Sequence, residues 1–296
     1  MEIVEVGPRD GLQNEKRVLP TRTKVEYARR AVAAGLRRLE VAAFARPDRM
    51  PQLADAEDVL RGVPRGAGVR YIALVLNGRG LDRILALDPG HRPDEINFVV
   101  VATDEFARRN QGMTTMASLD GFRSVAGRAR AAGLGVTLTV AAAFGCPFTG
   151  EVRPDRVREI VADAGAMDEL CLADTIGVGV PAQVGELAAA VREVVDVPLR
   201  AHFHNTRNTG YANAIAAATL GFVALDASLG GIGGCPFAPA ATGNIATEDL
   251  AYLLNRSGLA TGVAVPHAAA TGAWIGAELG LDTLPAQLGR AGDFPG

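Results

Sequence analysis

Short runs of Val, Ile and Leu recur along this chain with alanine-rich amphipathic stretches between them, and this alternation constrains the fold more than any other feature. The runs lie at 3–6, 39–44, 71–76, 96–101, 136–143, 170–173, 199–204 and 222–227, which makes eight candidate strands. Strands that are apolar on both faces suit a parallel sheet covered on each side. The amphipathic stretches include Thr23 to Ala34, Gly121 to Ala132, Pro154 to Ala166, Pro181 to Val195 and Asn208 to Leu220, many ending near a glycine that can stop a helix. Eight such units in 296 residues predict an α/β protein with a (β/α)8 TIM barrel. Thirty-five glycines and only 5% aromatics agree with many tight strand-to-helix turns. A doubly wound open sheet competes, but the first turn is Gly7-Pro8-Arg9-Asp10-Gly11 and not GxGxxG. One domain is expected over residues 1–296, with the barrel core to about residue 255 and a helical C-terminal extension from about 256.

Charge and cysteine usage remove several classes of function. Thirty basic and 33 acidic residues leave a net charge of -3, with no basic cluster, which argues against a nucleic acid partner. The N-terminus MEIVEVGPRD carries acidic residues where a signal peptide needs a basic flank, and no apolar run approaches the roughly 18 residues of a membrane span. No membrane partner and a cytoplasmic location are therefore expected. Cys146, Cys171 and Cys235 are far apart and form neither a disulfide framework nor a CxxC pattern.

In a barrel, chemistry belongs at the carboxyl ends of the strands. The first strand ends in Arg9-Asp10, a guanidinium beside a carboxylate on a stiff turn, although a surface ion pair would use the same residues. Glu40 is a lone carboxylate in the apolar second strand and needs a partner: Arg9, a cation, or neighbouring Arg37 or Arg38. The seventh strand carries His202-Phe203-His204, and a period of two puts both imidazoles on one face. After the eighth strand, residues 228–244 form a glycine-punctuated loop that holds Cys235 and ends at Asn244, in the manner of a lid. Cys171, inside an apolar strand, is expected to be inert packing. One carboxylate, two imidazoles and the Asn244 amide form an oxygen and nitrogen donor set that favours Mg2+ or Mn2+. Such an ion beside an arginine stabilises an enolate, which points to metal-assisted chemistry next to a carbonyl.

At these residues the sequence resembles the 3-hydroxy-3-methylglutaryl-CoA lyase family. The likeness runs through Val4 to Glu15, Glu40, Pro51-Gln52, Gly145-Cys146-Pro147, Ala173 to Gly179, the cysteine loop and Gly243 to Leu250, or roughly the first 255 residues. The resemblance implies a divalent cation held by Asp10, His202, His204 and Asn244. It also implies that Arg9, oriented by Glu40, neutralises the enolate oxygen of an acyl-CoA thioester. His202 or Asp10 would take the 3-hydroxyl proton, and Cys235 would help to protonate the acetyl-CoA enolate. Gln13, Asn205 and Arg207 would meet the substrate, with Arg207 on a second carboxylate. A homodimer or higher homo-oligomer is implied as well.

The run His204-Asn205-Thr206-Arg207-Asn208 stands where the family usually has an acidic residue and a Tyr-Gly pair. Ala42-Ala43-Phe44-Ala45 replaces a serine-rich segment, and Pro239-Ala240 stands where a glycine is usual. These departures bear on the substrate more than on the chemistry. The expected reaction is cleavage of 3-hydroxy-3-methylglutaryl-CoA to acetyl-CoA and acetoacetate. The alternatives are the same carbon–carbon lyase chemistry on citramalyl-CoA, another 3-hydroxyacyl-CoA or a free hydroxy acid, or a catalytically silent barrel that only binds metal or acyl-CoA.

Overall fold

A computed structural model describes residues 1–48, 50–66, 68–234 and 243–292. Eight strands, β1 (Glu2–Glu5), β2 (Arg38–Phe44), β3 (Arg70–Val75), β4 (Glu95–Val101), β5 (Gly135–Ala141), β6 (Glu169–Asp174), β7 (Leu199–Phe203) and β8 (Ala224–Ala227), pair in parallel and close into a barrel in which β1 bonds both β2 and β8. The expected (β/α)8 architecture is the observed one. Helices Thr21–Ala33, Pro154–Ala164, Pro181–Arg192 and Gly210–Thr219 fall where the amphipathic pattern puts them, while the one expected from Gly121 extends over Thr115–Ala131. The pattern did not single out Ala56–Gly62, Gly78–Leu85 and Asp104–Gln111, which are too short to show a clear period. Two boundaries move for backbone reasons: Asn208 has φ +62°, so its helix begins only at Gly210, and Ala142 has φ +55°, so β5 stops at Ala141. No helix among the described residues is long and apolar enough to cross a membrane.

The barrel interior changes character from bottom to top. At the amino-terminal end, buried Arg38 is held by Glu95 and by Glu169 at 2.7 Å. Above it lies an apolar cluster of Val4, Val6, Ile72 and Ala224. Helix Val265–Leu279 covers Thr21–Ala33, with Trp274 6.3 Å from Tyr27 ring to ring and Arg30 4.4 Å above the Trp274 ring. The C-terminal segment thus packs against the barrel wall.

Glu5, fully buried at the end of β1, fastens several elements beneath the mouth. Its Oε1 accepts from Gly7 N at 3.0 Å, Leu229 N at 3.0 Å and Tyr27 Oη at 3.1 Å, and its Oε2 accepts from Thr247 Oγ1 at 2.6 Å. Gly7 has to be glycine because a methyl group there would overlap Tyr27 and Glu5. Burial pushes the Glu5 carboxyl up to about 7 despite its four donors, and burial pushes nearby Glu248 up to about 8. Folding therefore raises proton affinity, so the contribution of Glu5 to stability is present below its ordinary 4.5 and is lost as pH rises towards about 7. Glutamine at position 5 keeps the Oε1 contacts and can donate to Thr247, so Glu5→Gln is expected to fold. It should remove a fall in unfolding free energy on the order of 3 kcal/mol between pH 5 and pH 8. Urea midpoints at the two pH values test this, and an unchanged difference would refute it.

Candidate active site

After β1 the chain makes one wide turn in which the amides of Arg9, Asp10 and Gly11 all bond back to the Val6 carbonyl, at 3.1, 2.7 and 3.2 Å. That turn delivers Arg9 and Asp10 to the mouth. Arg9 Nη2 donates to Glu40 Oε2 at 2.6 Å, and Nη1 donates to Asp10 Oδ1 at 2.7 Å and to Gln13 Oε1 at 3.3 Å. Glu40 is therefore the partner of Arg9 and not of Arg37 or Arg38. A register shift in the β2–β3 pairing between Glu40 and Ala42 lies beside it, a bulge of the kind that re-aims side chains near functional sites.

On β7, His202 and His204 share the inner face as alternation requires, their rings 5.1 Å apart. Asp10, His202 and His204 each offer one donor atom, and these atoms lie within 4.8 Å of one another. Asn244 is brought in by the chain after the loop, which pairs antiparallel with the end of β7 through His204 and Asn244. Its Nδ2 donates to Asp10 Oδ2 at 2.9 Å and to the Ile232 carbonyl at 3.1 Å, leaving Oδ1 as its donor atom for a ligand.

The electrostatics fit a cation. Asp10 is half-buried, and that desolvation alone would raise its pKa, yet Arg9, both imidazoles and Asn244 hold it well below the usual carboxylate range. Burial and neighbouring His202 push His204 down to about 3, so its ring is neutral at pH 7, as a ligand must be. His204 Nδ1 is buried without a hydrogen-bond partner, an orphaned atom that a bound ion would satisfy. His202 Nδ1 lies 3.2 Å from Asp226 Oδ2 on β8. Burial works against a charged imidazole, but that bond and Asp10 outweigh it, so His202 is raised above the ordinary histidine value. Asp226, itself kept ionised against burial by Arg200 and His202, accepts the Nδ1 proton and turns Nε2 towards the mouth.

These groups border a cavity of about 220 Å³. Arg9, Asp10, Gln13, His202 and His204 line one side, and Leu74, Leu76, Val99 and Val101 form an apolar wall.

Two expected substrate contacts are not brought to this cavity. Arg207 is exposed, and its Nη1 donates to the carbonyls of Ile176 and Gly177 at 3.0 and 3.1 Å. Asn205 serves its own turn, accepting from Gly210 N at 3.1 Å and donating to Asn208 at 3.3 Å. Position at a strand end indicates nearness, but backbone carbonyls claim Arg207 and the groups of its own turn claim Asn205. Cys235 lies outside the described residues. Cys171 is buried, and burial pushes its thiol up to about 12, in keeping with packing. Asp226 was not singled out from the sequence, although a lone carboxylate in the apolar run 222–227 is the same signal that marked Glu40.

A mouth that holds a cation beside an ion-paired arginine can stabilise a developing oxyanion, which is the equipment of barrel enzymes that work on carbon–carbon bonds next to a carbonyl. The chain belongs to the HMGL-like family, whose model matches residues 1–275, and it is a carbon–carbon lyase. It is 44% identical to a (R)-citramalyl-CoA lyase of Chloroflexus aurantiacus, over 98% of this chain and 94% of that protein. It is 39% identical to the mitochondrial hydroxymethylglutaryl-CoA lyase of Rattus norvegicus, over 89% of this chain and 81% of that protein. Its fold matches an HMG-CoA lyase structure from Acinetobacter baumannii in complex with coenzyme A and 3-methylmalate. That match has a TM-score of 0.90 and 34% identity, and covers 99% of this chain and 95% of the other.

Proposed function

We propose that this protein, as one domain, carries out divalent-metal-dependent retro-Claisen cleavage of a branched 3-hydroxyacyl-CoA that bears a second carboxylate. The observation that carries the reading is Arg9, fixed by Glu40 and Asp10 at the edge of the cavity that the imidazole pair also lines. Asp10, His202, His204 and Asn244 would hold Mg2+ or Mn2+. The cation would supply Lewis-acid polarisation of substrate oxygens.

The chain's own groups do the remaining work. Asp10 and His202 are the two groups placed to take the 3-hydroxyl proton, and His202 does so only by withdrawing Nε2 from the cation, since Asp226 holds its Nδ1. As that proton leaves, the C2–C3 bond breaks and its electrons pass to the thioester, whose enolate oxygen Arg9 stabilises. Protonation at C2, assigned to Cys235 by resemblance, completes acetyl-CoA.

Two substrates fit this scheme. 3-Hydroxy-3-methylglutaryl-CoA would give acetoacetate, and citramalyl-CoA would give pyruvate. The shorter one is favoured by the cavity: Arg9 is the sole arginine or lysine lining it among the described residues, and away from Arg9 the lining offers a distant carboxylate only neutral groups such as Leu74, Val99, Asn110, Gln111 and Thr175. The 44% identical relative supports the same choice. Incubating the protein with each thioester and Mg2+ or Mn2+ should release acetyl-CoA with a preference for citramalyl-CoA. A preference for the glutaryl substrate reverses the choice. Tight binding of both without acetyl-CoA release overturns the lyase reading in favour of a silent barrel.

A further inference from the structure

Glu40 is gripped from two directions. Arg9 takes Oε2, and Asn97 Nδ2 on β4 donates to Oε1 at 3.0 Å. A carboxamide can present either its nitrogen or its oxygen, so something has to decide which end faces the carboxylate. Glu40 decides it, because a carboxylate only accepts whereas a hydroxyl can do either, and Thr139 on β5 then holds the far end of the amide. Its Oγ1 lies 2.7 Å from Asn97 Oδ1, and a hydroxyl facing a carbonyl oxygen donates. With the amide reversed, Asn97 Oδ1 would confront Glu40 Oε1, acceptor against acceptor. Glu40, Asn97 and Thr139 are 1%, 2% and 7% exposed, so water is poorly placed to repair such a mismatch.

The polarity of this chain of bonds matters because Arg9 has few other restraints. Its Nε is buried without a partner, so only the two Nη atoms orient the guanidinium. Nη1 is set by Asp10 and Gln13, and Nη2 by Glu40 alone among the described residues. A Glu40 released on its Oε1 side could rotate about its terminal bond and carry Nη2 with it. The side chains of Asn97 and Thr139 bond to Glu40 and to each other and not to Asp10 or either imidazole, so cation binding is not their task.

We propose that Thr139 and Asn97 are positioning residues for the reaction: Thr139 anchors the Asn97 amide, Asn97 fixes Glu40, and Glu40 thereby aims Arg9 into the cavity. This rests on the reading of Arg9 as the group that stabilises the enolate oxygen. Valine at position 139 keeps the shape of threonine and removes the donor, whereas serine keeps the donor. Thr139→Val should lower kcat roughly tenfold with KM for the thioester within about twofold, and Thr139→Ser should retain the parent kcat. The nitrogen-15 signals of the Arg9 guanidinium should show slow rotation in the parent and the serine variant and faster rotation in the valine variant. Equal kcat and equal Arg9 rotation in parent and valine variant would overturn the proposal. If the parent cleaves no thioester, the lyase reading fails on that result alone, and the Arg9 rotation still decides whether Thr139 and Asn97 restrain it.

Discussion

Arg9→Met lowers kcat by a factor of roughly 10² to 10³ while the protein still binds Mn2+. Methionine keeps much of the length and apolar bulk of arginine but cannot hydrogen-bond an oxyanion. The loss falls on the step in which charge moves onto the thioester oxygen. Cation binding survives because the donor atoms belong to Asp10, His202, His204 and Asn244, and Asp10 gains freedom once Nη1 no longer occupies its Oδ1. Stability should suffer as well. Glu40, 1% exposed, loses its ion-pair partner, and breaking a buried pair on one side costs about 3–5 kcal/mol unless the carboxyl takes up a proton. Steady-state turnover with the preferred thioester, a Mn2+ titration followed by electron paramagnetic resonance, and thermal unfolding separate the three effects. Turnover within a factor of about three of the parent would remove Arg9 from the mechanism.

His202→Ala strikes turnover and cation binding together. The imidazole is one of the three donors clustered within 4.8 Å, and it is one of the two candidate bases. Loss of a general base costs roughly 10² to 10⁴ in rate. The cation should bind at least about tenfold more weakly because one donor of the set is gone. Asp226→Asn provides the graded comparison. It leaves His202 in place but offers an amide where a carboxylate accepted the Nδ1 proton, so the tautomer is no longer held. A loss of roughly 10- to 100-fold in activity or affinity is expected, milder than for the alanine variant. Normal Mn2+ affinity in His202→Ala would show that the ion, if bound, sits elsewhere.

Much of the site is legible in the residues themselves. A carboxylate inside an apolar run is costly alone, and that cost correctly marked Glu40 as paired. The alternation of a strand by itself places His202 and His204 on one face. Other parts have no such signature. Asn97 and Thr139 look like ordinary polar residues in apolar strands, and their importance comes from the neighbours that β4 and β5 give them in a closed barrel. The side chains of Arg207 and Asn205 are engaged away from the cavity for the converse reason: proximity to a strand end is visible in sequence, but the direction of a side chain is set by which hydrogen-bond partners lie within reach.

The chain by itself determines the eight-fold alternation of strand and helix, the inward set of polar residues at strand ends and the family, because each depends on local periodicity or on a motif of adjacent residues. Tertiary structure alone decides which of those groups meet. Asp10 and Asn244 are separated by 234 positions in sequence and bond at 2.9 Å, and Glu5 joins β1 to Thr247 across 242 positions at 2.6 Å. Contacts of that kind arise from barrel closure, in which the last strand pairs with the first, and no local pattern encodes their distance or direction.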